Sequence, residues 1–239
     1  MRRSLSMPDS ALSSLSRFDF LAGSYEAWFS TGLGAFVGRR EKDLLVALLR
    51  PRPDDTILEV GSGTGYFLRE LARMGAYCVG IEPSKEMLAV AMARPARGVG
   101  YIRGRAESLP FKDASFDSLL YMTTLEFVQD AHAAIREATR VVQPDGRLVL
   151  GVLNADGAWA RARWREGGLW RAAHFFRAEE LEALLSPFGP IRLSYCVHVP
   201  PSAGWMPGPL MTLVDWLMRR LFPASGAIIG VQVKLGRPQ

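Results

Sequence analysis

Apolar and polar positions along this chain switch between two periods. Short apolar runs bounded by glycine, proline or acidic residues cover Thr56–Val60, Ala76–Ile81, Leu148–Leu153, Ile191–Val197 and Ala227–Leu235. A further run is introduced by Ser115-Phe116-Asp117 and closes at Thr123-Thr124. Runs of this length between turn residues predict strands, buried where the run is continuous. Helical patterns lie between them: from near Tyr66, over Lys85–Ala93, in an Ala/Arg/Val-rich stretch before Gln143, and over Ala158–Arg165 and Ala178–Leu185. Strands alternating with helices predict one doubly wound α/β sheet.

The flanks differ from this rhythm. Phe18 to Phe29 carries Phe18, Phe20, Leu21, Tyr25, Trp28 and Phe29 and predicts an aromatic helix, followed by a second helix over Gly38–Leu49. Residues 1–17 have no such pattern and read as a loose tail. Residues 198–225 form an insertion before the last strand, rich in proline, glycine and large apolar groups. Within it Leu210, Leu213, Val214, Leu217, Met218 and Leu221 repeat at helical spacing, with Asp215, Arg219 and Arg220 off the stripe. This amphipathic helix has three readings: a lid walling a substrate pocket, a helix that dips into a membrane interface over 208–222, or a cover for the sheet edge or a dimer contact.

Composition narrows the class. At 239 residues, with 22% charged and 49% hydrophobic residues, the chain is an ordinary globular one. Cys78 and Cys196 have no metal-ligand spacing and read as reduced thiols of a cytoplasmic protein. Arg2 and Arg3 are not followed by an apolar signal core, and no run of about 18 apolar residues exists to span a bilayer. The net charge of +5 and pI near 9.5 admit nucleic acid or an anionic surface as partners. The densest basic cluster, Arg161 to Arg171, is interleaved with Trp159, Trp164 and Trp170, which could stack on bases or pack on the domain.

The chemistry begins after the first strand. Glu59-Val60-Gly61-Ser62-Gly63-Thr64-Gly65 joins the strand to a helix starting near Tyr66. Glycines let such a loop turn sharply and approach a ligand, and the helix start offers outward amides. A dinucleotide fingerprint would need its third glycine at Tyr66. The spacing Glu-x-Gly-x-Gly-x-Gly instead resembles motif I of the class I S-adenosylmethionine (SAM) methyltransferases. Glu82, at the end of the second strand, is placed to accept both hydroxyls of a ribose. Pro83 stops that strand and Ser84 caps the next helix.

Two further segments carry the resemblance. Gly104-Arg105-Ala106-Glu107-Ser108-Leu109-Pro110-Phe111 is similar to the family's Asp-Ala-Glu-x-Leu-Pro-Phe, with Arg105 where the acid usually sits. Gln143-Pro144-Asp145-Gly146-Arg147 resembles its Pro-Gly-Gly turn, with Asp145 in the first glycine position. Together the motifs imply a Rossmann-like, mostly parallel seven-stranded sheet of order 3-2-1-4-5-7-6 with the last strand antiparallel. An N-terminal helical cap over 18–50 is implied as part of one domain, 18–239. The implied cofactor is SAM, held by Glu59, Gly61, Ser62, Gly63, Gly65, Glu82, Pro83, Met87, Arg105, Ala106, Glu107 and Thr123. Tyr25 of the cap approaches its methionine end.

Methyl transfer needs a base only if the nucleophile keeps its proton. Glu126, after the fourth strand, and His198, at the start of the insertion, are the candidates, ahead of His174. No Asn/Asp-Pro-Pro-Tyr/Phe follows strand four, where the segment is Met122-Thr123-Thr124-Leu125. No cysteine follows strand four as a nucleophile. The expected activity is therefore O-, N-, S- or C-methylation of a small, partly apolar molecule, without a metal and without nucleic acid. Two alternatives stay open: a methyltransferase acting on RNA or protein, and a SAM-binding protein without transfer activity.

Overall fold

The computed structural model describes residues 14–236. Most of the tail expected over 1–17 therefore lies outside the described residues. Seven strands form one sheet: β1 (Thr56–Val60), β2 (Tyr77–Glu82), β3 (Val99–Arg103), β4 (Phe116–Met122), β5 (Val142–Leu153), β6 (Ile191–Cys196) and β7 (Ile228–Lys234). Their order is 3-2-1-4-5-7-6, parallel from β3 to β5, with β7 antiparallel to both β5 and β6. The fold class read from the sequence is the one observed.

Among the described residues eight α-helices accompany the sheet: α1 (Ser14–Leu21), α2 (Gly32–Leu49), α3 (Tyr66–Arg73), α4 (Lys85–Met92), α5 (Ala131–Val141), α6 (Ala158–Glu166), α7 (Ala178–Leu185) and α8 (Gly208–Leu221). Alternate residues of each strand feed opposite layers, as a pleated strand requires. Leu58, Leu119, Leu148 and Val231 join the layer of α5 and α7. Ile57, Leu120, Val149 and Ile228 join that of α2, α3 and α8. Asp117 ties two strand starts together: its Oδ2 accepts from the Thr56 amide at 2.8 Å and from the Thr56 hydroxyl at 2.7 Å.

Three local expectations change. The aromatic helix over Phe18–Phe29 is broken: α1 ends at Leu21, and a 3-10 turn spans Tyr25–Ser30. Gly23 and Ser24 sit at the break, where glycine favours the coil and serine competes for backbone bonds. The following helix starts at Gly32 rather than Gly38, because Thr31 caps it by accepting from the Gly34 amide at 3.0 Å. The turn expected over Gln143–Arg147 is a bulge inside β5. Three residues of β4, Phe116 to Ser118, run beside six of β5, Val142 to Arg147. Asp145 adopts φ 66° there, a conformation that aspartate tolerates better than most residues.

The sheet order reverses between β1 and β4. Ligands of open α/β sheets bind beyond the carboxyl ends of strands at such a switch point. The loops after β1, β2 and β4 all open onto it.

Candidate functional site

The loop after β1 is pinned before it meets any ligand. The amides of Gly61 and Ser62 donate to the Ile81 carbonyl at the end of β2, at 2.8 and 3.2 Å. Gly61, Gly63 and Gly65 have φ of 71°, 52° and 75°. A side chain at Gly61 would collide with Thr124, whose hydroxyl donates to the Gly61 carbonyl at 3.3 Å. Gly63 is different: nothing lies within 4 Å of where its Cβ would be. Its conformation demands glycine, while the space beside it stays open.

Glu82 closes the other side. Its Oε2 accepts from the Gly63 amide and its Oε1 from the Ser84 amide, both at 2.9 Å. Each oxygen has capacity for a second donor, as two adjacent hydroxyls would supply. Burial pushes the Glu82 carboxyl up, and the two amide bonds oppose this. The Ser84 hydroxyl accepts from the Met87 amide, which starts α4 under the site.

These loops enclose a cavity of about 240 Å³, a ligand-sized space rather than an ion site. Tyr25, Gly61, Gly63, Glu82, Pro83, Met87, Arg105, Ala106, Glu107 and Thr123 all line it. Its remaining walls include Phe18, Val60, Ile81, Gly104, Met122, Thr124, Phe127, Val128 and Gln129. Val60, Ile81 and Met122 are last or near-last strand residues, so the strand-end rule could have found them. Phe127 ends a 3-10 turn at Leu125–Phe127, Val128 and Gln129 follow it, and none of the three carries a motif. Phe18 meets Phe127 edge-to-face at 4.9 Å and closes one wall with it.

Two site residues show their constraints directly. Thr123 has φ 47°, a left-handed conformation that threonine adopts at a cost, and its amide is held by the Gly151 carbonyl at 2.7 Å. Tyr25 is half-buried beside the cavity; burial and then the carboxylates of Glu41, Glu59 and Glu82 keep its hydroxyl protonated. Its segment is tied down by Glu26, which pairs with Arg69 of α3 at 2.7 Å and with Arg94. Arg105 is half-exposed and its Nε lies 3.5 Å from the Glu107 carboxylate.

Other expected residues sit behind the cavity. Glu59 is buried in β1, and burial and then Glu82 push its carboxyl well above the usual range. Ser62 is buried against β2 near Gly80, and Gly65 is the N-cap of α3. Glu126 does not line the cavity. It is buried, its Oε1 accepts from the Leu153 amide at 2.6 Å, and its Oε2 has no partner. Burial pushes its carboxyl up to about 7.

His198 lies elsewhere altogether. Its ring is fully buried with Nε2 2.9 Å from the Pro223 carbonyl, and its amide donates to Asp215 of α8 at 2.7 Å. His174 is exposed beside Glu180. Of the aromatic-basic segment, Trp159 is buried and Arg163 stacks over both Trp159 and Trp170, at 5.3 and 4.6 Å. Only Trp164 of its three tryptophans is largely exposed. Among the described residues no cluster of three or more His, Cys, Asp or Glu could hold a metal. No helix among them is long and apolar enough to cross a membrane.

Comparison with known proteins agrees with this geometry. The family described as "Methyltransferase domain" matches residues 58–150, which run from within β1 to within β5. An uncharacterised protein of Methanocaldococcus jannaschii is 32% identical over 72% of this chain and 80% of its own length. A demethylmenaquinone methyltransferase of Mycolicibacterium vanbaalenii is 37% identical over 56% of this chain and 58% of its own. A SAM-dependent methyltransferase of Thermotoga maritima, described as a possible histamine N-methyltransferase, superposes with a TM-score of 0.73. It is 27% identical, over 92% of this chain and 99% of that one.

Proposed function

The chain belongs to the class I SAM-dependent methyltransferases, and on that premise we propose that it methylates an O, N, S or C nucleophile of a small, partly apolar molecule. One observation carries the cofactor reading: Glu82, the glycine loop and the Ala106-Glu107 turn face one cavity at the switch point of the sheet. The residues present fit SAM. Glu82 would accept the two ribose hydroxyls, and the open space beside Gly63 would admit the amino-acid portion. Met87 and the Ala106 amide would lie against the adenine. Arg105, held by Glu107, would lie flat over the ring edge in place of the usual acid.

SAM supplies the electrophilic methyl on a sulfonium that is already a good leaving group. The chain's own task is alignment, which can contribute about 7–11 kcal/mol to such a reaction. Thr123, in its fixed left-handed conformation, and Tyr25, with its proton retained, would hold the transfer path from two sides. Phe18, Phe127, Met122 and Val128 would exclude water and favour an apolar acceptor. The similar proteins are named for acceptors as unlike as demethylmenaquinone and, as a possible one, histamine, so the apolar wall is the ground for the acceptor class. Glu126 does not line the cavity, so it would serve as a base for a protonated nucleophile only through an intervening group between its unpartnered Oε2 and the acceptor. His198 is not retained as a base, because its ring is engaged within the insertion.

The test is transfer of labelled methyl from SAM to a panel of phenols, quinols, amines and thiols. Labelled product with an apolar acceptor, abolished by Thr123→Trp, is the expected result. Cofactor binding without transfer to any acceptor would favour the non-transferring alternative. Transfer to RNA that salt suppresses would favour the other.

A further inference from the structure

Helix α8 is turned inside out. Its buried residues are Met211 and Asp215, the latter only 4% exposed. Asp215 holds the helix to the domain: its Oδ2 pairs with Arg40 of α2 at 3.0 Å and its Oδ1 accepts from the His198 amide. The leucines point away. Leu213 is 58% exposed and Leu217 46%, and Leu210 and Leu221 continue the same face along the helix. Trp216 flanks that face, Trp205 stands at 74% exposure before the helix, and Phe222 is exposed just after it. Of the thirteen large apolar side chains exposed among the described residues, seven lie between 205 and 222, so the exposure is concentrated and not scattered. Concentrated exposure of this kind marks an interaction surface.

The exposed charge carried by the segment itself has one sign, with Asp43 of α2, 3.8 Å from Arg40, the neighbouring acid. Asp215 is the sole acidic residue after Glu182 in the sequence, and it is buried. Arg219 and Arg220 are exposed in the last turn, and Arg220 lies over the Trp216 ring at 5.8 Å. A groove along the helix is lined by Arg40, Thr212, Trp216 and Arg219. A second copy of the chain would bring these guanidiniums against their own kind, with no exposed acid on the segment to meet them.

We propose that α8 and its flanks form an in-plane docking surface for a bilayer rich in anionic phospholipid. The helix has 14 residues, about 21 Å of length. That is too short for the roughly 30 Å hydrocarbon core but suited to lying along the headgroup boundary. The leucines and Phe222 enter the acyl edge, Trp205 and Trp216 take the interfacial level that tryptophan prefers, and Arg219 and Arg220 meet lipid phosphates. The neighbouring 3-10 turn Ala203–Trp205 packs on α2, so the docked face lies beside the cap that walls the cavity. The inference does not depend on which acceptor is methylated.

The experiment is co-sedimentation of the full chain with phosphatidylcholine vesicles, with and without phosphatidylglycerol, at low salt. The wild type is expected to bind the anionic vesicles and to bind neutral ones more weakly. Arg219→Gln/Arg220→Gln should reduce binding to anionic vesicles roughly thirtyfold. Leu213→Gln/Leu217→Gln should reduce it at least about tenfold. Both pairs are on the surface, so an unchanged melting temperature will separate loss of docking from loss of fold. Tryptophan emission should shift to the blue on vesicle addition, and less so in Trp216→Phe. Equal binding by the leucine variant overturns the proposal. So does failure of the wild type to bind anionic vesicles, whether the protein then stays monomeric, forms a dimer that the leucine variant dissociates, or is covered by a partner protein.

Discussion

The cofactor crevice and the 198–225 insertion solve burial in opposite ways. In the crevice, a carboxylate and the glycine loop reach a cavity whose other walls are largely apolar. Glu82 is bonded by its own loop yet keeps acceptor capacity facing inward. In the insertion, a carboxylate is buried and leucines face outward. The crevice is built by residues close in sequence, where a strand end and a glycine loop dictate geometry within a few positions. The insertion is oriented by Asp215 meeting Arg40, far away along the chain. Local spacing therefore encodes the crevice, whereas contacts of Asp215 with distant Arg40 and with His198, together with buried Met211, hold one side of α8 to the protein.

Breaking the Asp215–Arg40 pair is the strongest test of the contrast. Asp215→Leu would leave Arg40 and the buried His198 without their carboxylate. Breaking a buried pair costs about 3–5 kcal/mol, less here because Arg40 reaches solvent, so a loss of about 2–3 kcal/mol is expected in denaturant unfolding. Cofactor affinity of the folded protein should stay unchanged. Coupled loss of both would mean that the two regions are one unit.

A smaller effect should come from pH. Burial pushes the Glu41 carboxyl up to about 8, with Arg163 opposing and Glu126 adding to it, and pushes Glu126 up to about 7. A carboxyl raised on folding contributes stability that is complete below its unfolded pKa and is lost as pH rises through the folded value. Stability should therefore decline between about pH 5 and pH 8, and Glu126→Gln should flatten the lower part of that decline. Asp215 acts in the other direction. Burial would raise it, but the His198 bonds and Arg40 outweigh this and hold it low. Its contribution is present above the ordinary aspartate range and lost in acid. Melting curves across this range that show no decline toward alkaline pH would contradict the assignment.

The same contrast explains what could be read from the sequence. Strand β1 and the cap at Ser84 were legible to the residue, because apolar runs ended by glycine or an acid leave little choice. So was the sheet order, through the resemblance to a family of known topology. Most residues expected around the cofactor converge on one cavity, since most of them sit at or just after a strand end. Phe18 and Phe127 were not legible as its wall: an aromatic side chain has the same pattern whether it packs on core or on ligand. The break at Gly23-Ser24 and the bulge at Asp145 escaped because both are backbone adjustments within otherwise regular segments. Nor could the orientation of α8 be read from the stripe, because the stripe is split. Val214 and Met218 are half-buried, while Leu213 and Leu217 are exposed.

Glu82 is the residue that joins the glycine loop to the end of β2 at the cofactor crevice. The decisive measurement is calorimetric titration of SAM into the wild type and into Glu82→Ala, with melting curves to confirm that both are folded. Removing two charge-assisted acceptor positions should weaken binding roughly 100-fold. Saturable binding by the wild type with that loss in the variant is the predicted result. Equal affinity in the two proteins, or no binding by the folded wild type, would contradict the assignment of this crevice as the SAM site.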